Sequence, residues 1–364
     1  MTPVYFTSTF VQSAPGENQG YDYARVANPT RTALEKNLAS LENARHGICF
    51  ASGVGALDAI LKTLQPGDHV VSTNDLYGGS YRLMSQVYAR FGVDFTFIDL
   101  SDLEEVKAAI TDRTVLVWAE TPTNPLLRIF DIEALGGLAR SHGADLAVDN
   151  TFASPYLQKP LDLSADLVLH SSTKYLGGHS DVVGGAVMTN SEEWADKLRF
   201  QVKTTGAVPS PMDSFLLLRS TKTLHLRMER HCDNAERVAE HLARHSKVAS
   251  VRYPGLVDHP QHDLARRQMK RFGGMVSFEL VDDRLESASR FMSSTRLFSL
   301  AESLGGVESL VSHPASMTHG SIPAEERRKS GLPDSLIRLS VGVEDADDLI
   351  DDIDEALAAV TGGQ

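Results

Sequence analysis

Between residues 47 and 188, short uninterrupted apolar runs alternate with stretches of helical pattern. The runs are Gly47–Ala51, His69–Thr73, Asp94–Asp99, Thr114–Glu120, Asp145–Asp149, Asp166–Leu169 and Gly185–Met188. They lack the every-second-residue polarity of a sheet with one wet face, so both faces have to be covered. Helices are predicted over Val54–Leu64, Tyr81–Arg90, Leu103–Ile110 and Asp131–His142. Alternation of this kind predicts a largely parallel α/β sheet between helices, with ligands at the C-terminal ends of its strands.

A chain of 364 residues is long enough for two packed domains. Residues 1–26 are polar and rich in turn formers, without helical period, and are expected to lie on another surface. Asn28-Pro29-Thr30 then caps a helix carrying Leu34, Leu38 and Leu41 on one face. The amphipathic stretch Ser220–His245 reads as the link into a smaller α+β unit. Its predicted strands are Val248–Tyr253, Gly274–Leu280, Phe298–Leu300 and Ile337–Val341, with a last helix over Asp345–Val360. The expected division is 1–26, 27–226 and 227–364.

The formal net charge of −13 argues against nucleic acid or an anionic membrane as a partner. No apolar run approaches the ~18 residues of a membrane span, and the N-terminus lacks a secretory pattern. Only Cys49 and Cys232 occur, which suits a reducing cytoplasm. The 13 histidines form no HExxH or paired ligand spacing, so no metal site is predicted.

The stretch Leu169-His170-Ser171-Ser172-Thr173-Lys174-Tyr175-Leu176-Gly177-Gly178 carries the most pointed chemistry. An apolar strand there delivers a lysine among hydroxyls to a ligand-bearing edge. Partly desolvated, such a lysine loses its proton near neutral pH and attacks a carbonyl. The commonest permanent carbonyl in enzymes is pyridoxal 5'-phosphate (PLP), bound as a Schiff base. An arbitrary strand-end lysine more often reaches out to solvent, so the reading depends on its companions.

Those companions fall at equivalent strand ends. Ser52, Gly53 and Val54 lie between a strand and a helix, where small residues and a helix N-terminus suit a phosphate. Asp149 ends an apolar strand and there needs a partner such as a protonated ring nitrogen. Tyr77 follows the second strand, where its phenol can stack on a flat ring and exchange a proton. Asn124 lies just past another strand, and Arg338 sits inside an apolar one, where a carboxylate suits its fork. Taken singly, each has a structural explanation: a cap, a turn, a buried ion pair. Together they converge on one sheet edge, where a single site forms.

The motifs carrying these residues resemble those of the PLP-dependent Cys/Met-metabolism (transsulfuration) enzymes. The resemblance runs from Tyr5 to about Leu357. It rests on Tyr23-Ala24-Arg25, Asn28-Pro29-Thr30-Arg31, Leu76-Tyr77-Gly78-Gly79 and Glu120-Thr121-Pro122-Thr123-Asn124-Pro125. Further along it rests on Val148-Asp149-Asn150-Thr151-Phe152, Ser172-Thr173-Lys174-Tyr175, Gly178-His179-Ser180-Asp181 and Ala301-Glu302-Ser303-Leu304-Gly305-Gly306. It implies PLP fold type I, the aspartate-aminotransferase-like architecture, with a mostly parallel seven-stranded sheet and a smaller C-terminal α+β domain.

By that resemblance Lys174 bears the cofactor, Asp149 pairs with its ring nitrogen and Tyr77 stacks on the ring. The phosphate is expected on the Gly53 and Val54 backbone with Ser52, Ser171 and Thr173, completed by Tyr23 and Arg25 of a neighbouring subunit. Arg338, with Asn124 and Ser303, is expected to hold the substrate α-carboxylate. A homodimer, paired into a homotetramer, follows. Family members carry a subunit-clasping arm ahead of the segment equivalent to Thr2-Pro3-Val4-Tyr5, where this chain starts; a late start and a missing arm are both open, and both bear on how tightly a tetramer is held.

Within the family, Gly79 stands where methionine γ-lyases carry cysteine. Glu302, with Asp22 and Arg82, resembles the γ-acting cystathionine enzymes and departs from the β-lyases. The expected reaction is γ-elimination on cystathionine, with γ-replacement on an acylated homoserine as the alternative. Ala14-Pro15-Gly16 and Ser312-His313-Pro314-Ala315 tilt the expectation toward elimination. Two rivals are weaker. A PLP-fold protein without chemistry would not need every family position filled, and a nucleotide-binding enzyme would need a dinucleotide glycine spacing that is missing.

Overall fold

The computed structural model describes residues 2–317, 325, 331–333 and 335–360; Met1 and residues 361–364, the outer ends of two predicted segments, lie outside them. The large sheet contains β1 (His46–Phe50), β2 (His69–Thr73), β3 (Asp94–Ile98), β4 (Thr114–Glu120), β5 (Asp145–Asp149), β6 (Leu167–His170) and β7 (Gly185–Thr189). Their order is β1-β7-β6-β5-β4-β2-β3. β7 pairs antiparallel with both β6 and β1, and the remaining pairs are parallel. Six of the seven strands therefore end at one edge.

The lack of polar alternation has a direct structural cause. Successive side chains of β6 enter two different cores. Leu167 and Leu169 pack with Leu57 and Ile60 of helix α2 (Gly53–Leu61). Val168 packs on the other face with Leu34 and Leu38 of helix α1 (Pro29–Leu41). Each such fully buried side chain contributes about 1.5–3 kcal/mol. Helix α1 starts where expected, with the Asn28 side chain accepting from the Thr30 and Arg31 N–H groups.

A second sheet combines β8 (Val248–Arg252), β9 (Met275–Leu280), β10 (Ser299–Leu300), β11 (Leu310–Ser312) and β12 (Ile337–Ser340). Its order is β10-β11-β12-β9-β8. Strand β11 escapes the sequence reading because it is three residues long, as does the helix Glu192–Thr205. The helix predicted over 220–245 is present as Leu224–Arg244, while Ser220 and Thr221 close a separate helix, Pro211–Thr221, that the sequence reading lacks. Buried Arg227 ties down the break: it donates to the Ser220 carbonyl, the Thr223 hydroxyl and the Tyr175 carbonyl. The stretch predicted as a helix over 81–90 changes hydrogen-bond pattern twice, from Gly78–Arg82 through a π-turn at Leu83–Val87 to a tight 3₁₀ turn at Tyr88–Phe91. Among the described residues no helix is long and apolar enough to cross a membrane.

Candidate active site

The C-terminal ends of β1, β2, β4, β5 and β6 and a corner of the second sheet enclose a cavity of about 300 Å³. Lys174 lies at its centre, four residues past the end of β6. Its Nζ donates to the Ser303 hydroxyl at 2.7 Å. Burial, helped by the positive charge of Arg338, lowers its pKa from 10.5 to about 8, against the opposing pull of Glu302. Such an amine has a substantial neutral fraction near physiological pH, as a nucleophile requires.

Arg338 lies on β12 and is almost fully buried. One Nη donates to Asn124 Oδ1 at 2.7 Å and the other to the Ser303 carbonyl at 2.9 Å. Among the described residues its Nε has no hydrogen-bond partner. A buried guanidinium donor left over in a cavity is costly unless an anion arrives to accept it. Ser303 touches both Arg338 and Lys174 and holds a left-handed backbone (φ 97°), an uncommon conformation for serine.

At the opposite wall, the Ser52 hydroxyl caps α2 by accepting from the Gly55 N–H at 3.0 Å. A Cβ at Gly53 would lie 2.8 Å from the Ser171 Cβ, so only glycine lets this turn meet the end of β6. The first N–H groups of α2 consequently face a cradle also lined by Val54, Ser171 and Thr173. The Ser171 N–H donates to Thr151 Oγ1 at 2.9 Å, and the Thr173 hydroxyl donates to the Gly184 carbonyl at 3.2 Å.

Asp149, the last residue of β5, is buried and accepts the Thr151 N–H at 3.0 Å. Burial raises its pKa, while the Thr151 bonds and the nearby His170 ring hold it down. Tyr77 leaves its ring partly exposed on the cavity wall, and a Cβ at Gly79 would fall 2.3 Å from that ring. Glu302, next to Ser303, lies at the mouth of the cavity.

Twelve residues predicted from sequence thus line one cavity: Ser52, Gly53, Val54, Tyr77, Asn124, Asp149, Ser171, Thr173, Lys174, Glu302, Ser303 and Arg338. Asp22, Tyr23, Arg25 and Arg82 do not. The Arg25 guanidinium lies over the Tyr23 ring and donates to the Lys203 carbonyl. Asp22 caps its own turn by accepting the Tyr23 N–H. Arg82 is exposed, at the end of the helical turn Gly78–Arg82. Eight other lining residues carry no role in the sequence reading, the polar ones being Ser80, Glu120 and Thr151. The signal for Glu120 was present: like Asp149, it is a carboxyl closing an apolar strand. Among the described residues no group of three or more His, Cys, Asp or Glu is arranged to hold a metal ion.

A family model described as "Cys/Met metabolism PLP-dependent enzyme" matches residues 1–358. A cystathionine gamma-lyase from Dictyostelium discoideum is 52% identical over 358 residues, 98% of this chain and 92% of that protein. A cystathionine beta-lyase from Coxiella burnetii is 50% identical over 359 residues, with the same coverage. A crystal structure of cystathionine gamma synthase from Xanthomonas oryzae pv. oryzae, in complex with aminoacrylate and cysteine, superposes with a TM-score of 0.96 at 45% identity, covering 98% of this chain and 92% of that one. Three reaction names thus occur at similar distance.

Proposed function

Because this chain belongs to the Cys/Met-metabolism family of PLP-dependent enzymes, we propose that its cavity performs γ-elimination on cystathionine, giving cysteine, 2-oxobutanoate and ammonia. The observation carrying this reading is the shared placement of Lys174, Arg338 and Glu302 around Ser303. An amino acid held by its α-carboxylate on Arg338 brings Cα to the Lys174 side of the cavity. Its far ammonium group then finds the Glu302 carboxylate at the mouth.

The residues fit PLP. The missing Cβ at Gly53 lets the start of α2 close onto Ser171, which gathers backbone N–H groups and hydroxyls where a phosphate can be held, and Asp149 supplies a buried carboxyl for a ring nitrogen. When bound, PLP supplies a carbonyl for covalent attachment and a protonated ring that accepts the electron pair released at Cα. Lys174 Nζ would hold the cofactor between turnovers; as a free amine it would take the Cα proton, hand that proton on, and only then, neutral again, take one from Cβ. The Asp149 carboxylate would hold the cofactor's ring nitrogen in its charged form. Tyr77, on the cavity wall, would cover the ring and supply a proton to sulfur as the Cγ–S bond breaks. Arg338 turns its unpartnered Nε to the α-carboxylate, with Asn124 and the Ser303 carbonyl fixing the guanidinium plane.

Tyr23 and Arg25 serve the phosphate of a second copy in this reading, which makes the dimer the working unit and is compatible with a tetramer. Their position outside the cavity of their own chain supports it. Asp22 and Arg82 are assigned to the distal end of the substrate, near Glu302. The crowding at Gly79 leaves no space for the cysteine of methionine γ-lyases while the Tyr77 ring keeps its place. Glu302 favours γ-chemistry over β-elimination.

The test is one protein assayed three ways: 2-oxobutanoate from cystathionine, pyruvate from cystathionine, and cystathionine from an acylated homoserine plus cysteine. Dominant 2-oxobutanoate is expected. Dominant pyruvate would transfer the assignment to β-elimination, and dominant cystathionine to γ-replacement. A purified protein without a yellow chromophore bleached by borohydride would remove Lys174 from its role.

A further inference from the structure

Two carboxyl groups face each other on neighbouring strands of this cavity. In the register of β4 and β5, Glu120 pairs directly with Asp149. Paired residues of adjacent strands share a face of the sheet, with backbones about 4.8 Å apart. Both side chains are buried and both line the cavity. Two carboxylates so placed cannot both be ionised at ordinary cost; one keeps a proton.

The surroundings decide which. Asp149 accepts the Thr151 N–H, and both the Thr151 bonds and the nearby His170 ring on β6 work to lower its pKa. His170 is itself held by Glu42, with Nε2 at 2.5 Å from Oε1, and Asn150 donates to the same carboxylate oxygen at 2.9 Å. Glu120 accepts the Tyr77 N–H at 3.0 Å. Buried Asp75, beyond the end of β2, adds a second acidic neighbour. Burial first, then Asp149 and Asp75, raise the Glu120 pKa well above the carboxylate range, with the Tyr77 N–H opposing.

We infer that Glu120 works as a neutral carboxylic acid that fixes the backbone of Tyr77 and leaves Asp149 as the ionised member of the pair. It is a positioning residue. One oxygen holds the N–H of the residue whose ring covers the cofactor, and the other carries the proton that Asp149 gives up. The inference rests on the proposed roles of Tyr77 and Asp149.

The test uses the purified full-length protein and two variants. Infrared difference spectroscopy of the parent against Glu120→Gln at pH 7 should reveal a protonated-carboxyl C=O band lost in the variant. Glu120→Ala should weaken PLP binding about tenfold, as loss of one buried hydrogen bond would. Glu120→Gln should recover most of that affinity and of the cofactor's induced circular dichroism, because a neutral amide oxygen still accepts from Tyr77. Absence of the acid band overturns the inference, and so does a glutamine variant as impaired as the alanine one. A parent that shows the band but holds no borohydride-sensitive chromophore overturns the functional reading instead.

Discussion

At the C-terminal edge of the large sheet, Lys174, Asp149 and Tyr77 reach one cavity from three different strands and meet Arg338 arriving from the other sheet. In the segment before α1, Asp22, Tyr23 and Arg25 carry equally pointed chemistry but stay outside that cavity. The first region is fixed by cores on both faces of the sheet. The second is held by backbone: Arg31, itself buried, donates to the carbonyls of Ala24, Arg25 and Val26. Its flanks are anchored too, since the Tyr5 N–H donates to Thr30 Oγ1 and Ala24 bonds back to Ser8. Side chains such as Phe6 and Val11 nevertheless remain exposed. One region is complete within a chain; the other presents an ordered backbone whose side chains lack a client there. That contrast is what a site completed by a second copy would leave in a single chain.

The largest expected effect falls on the complete region. Lys174→Ala should cut cystathionine turnover by at least about a thousandfold, beyond the usual worth of a proton-transfer group because the covalent link is lost as well. PLP should still bind, through Asp149 and the phosphate cradle, but borohydride should no longer fix it covalently to the chain, as mass spectrometry of the reduced protein would show. A variant retaining measurable γ-elimination would break the assignment of the amine. Arg338→Lys comes next. A lysine cannot satisfy Asn124, the Ser303 carbonyl and a carboxylate in one plane. The expected loss is about 100-fold in kcat/KM, mostly through KM, read from steady-state kinetics on cystathionine. An unchanged KM would move the carboxylate site elsewhere.

Much of the complete region was legible in the sequence for a physical reason. A charged residue closing an apolar strand, as at Asp149, or lying within one, as at Arg338, has few uses other than meeting an opposite charge. The parallel sheet was legible because Leu167, Val168 and Leu169 must satisfy two cores at once. Residues whose meaning depends on pairing across strands were harder to read. Glu120 becomes informative only when the register sets it beside Asp149. The break between Thr221 and Leu224 depends on Arg227 reaching carbonyls from two elements, which no helical period encodes. The expectation for Tyr23 and Arg25 rests on family resemblance alone, since nothing local in a polar segment points to a client in another chain.

The incomplete region has its own test. A Tyr23→Ala/Arg25→Ala double variant should bind PLP at least about tenfold more weakly, having lost a charge-assisted phosphate contact. Refolding it together with the Lys174→Ala variant forms hybrid dimers, assayed at a PLP concentration that fills the parent and leaves the double variant largely empty. If the segment serves the partner's cavity, one site in each hybrid combines an intact Lys174 with an intact Tyr23 and Arg25, and activity returns to roughly a quarter of the parent's, as random pairing to dimers gives. If the segment served its own cavity, every site would carry a defect and the mixture would stay as inactive as its parts. Recovery sharpens the contrast between the two regions; its absence erases it.

The smallest effect concerns how far the complete region is prepared before any cofactor arrives. With the Lys174 pKa lowered to about 8, the cofactor-free protein should take up PLP covalently at a rate that climbs with pH and levels off above about 8, followed as the growth of the yellow band. Glu302 opposes the shift, so Glu302→Gln should move the midpoint to lower pH. Linkage fixes the sign of the accompanying stability change. Between about 8 and 10.5 the unfolded chain binds a proton at this lysine that the folded chain does not, so the folded cofactor-free protein should gain stability as pH rises through that window. Urea denaturation of the apoprotein against Lys174→Met isolates the term. A midpoint for PLP uptake near 10 would mean that the cavity does not desolvate the amine, and that this region is assembled only by its cofactor.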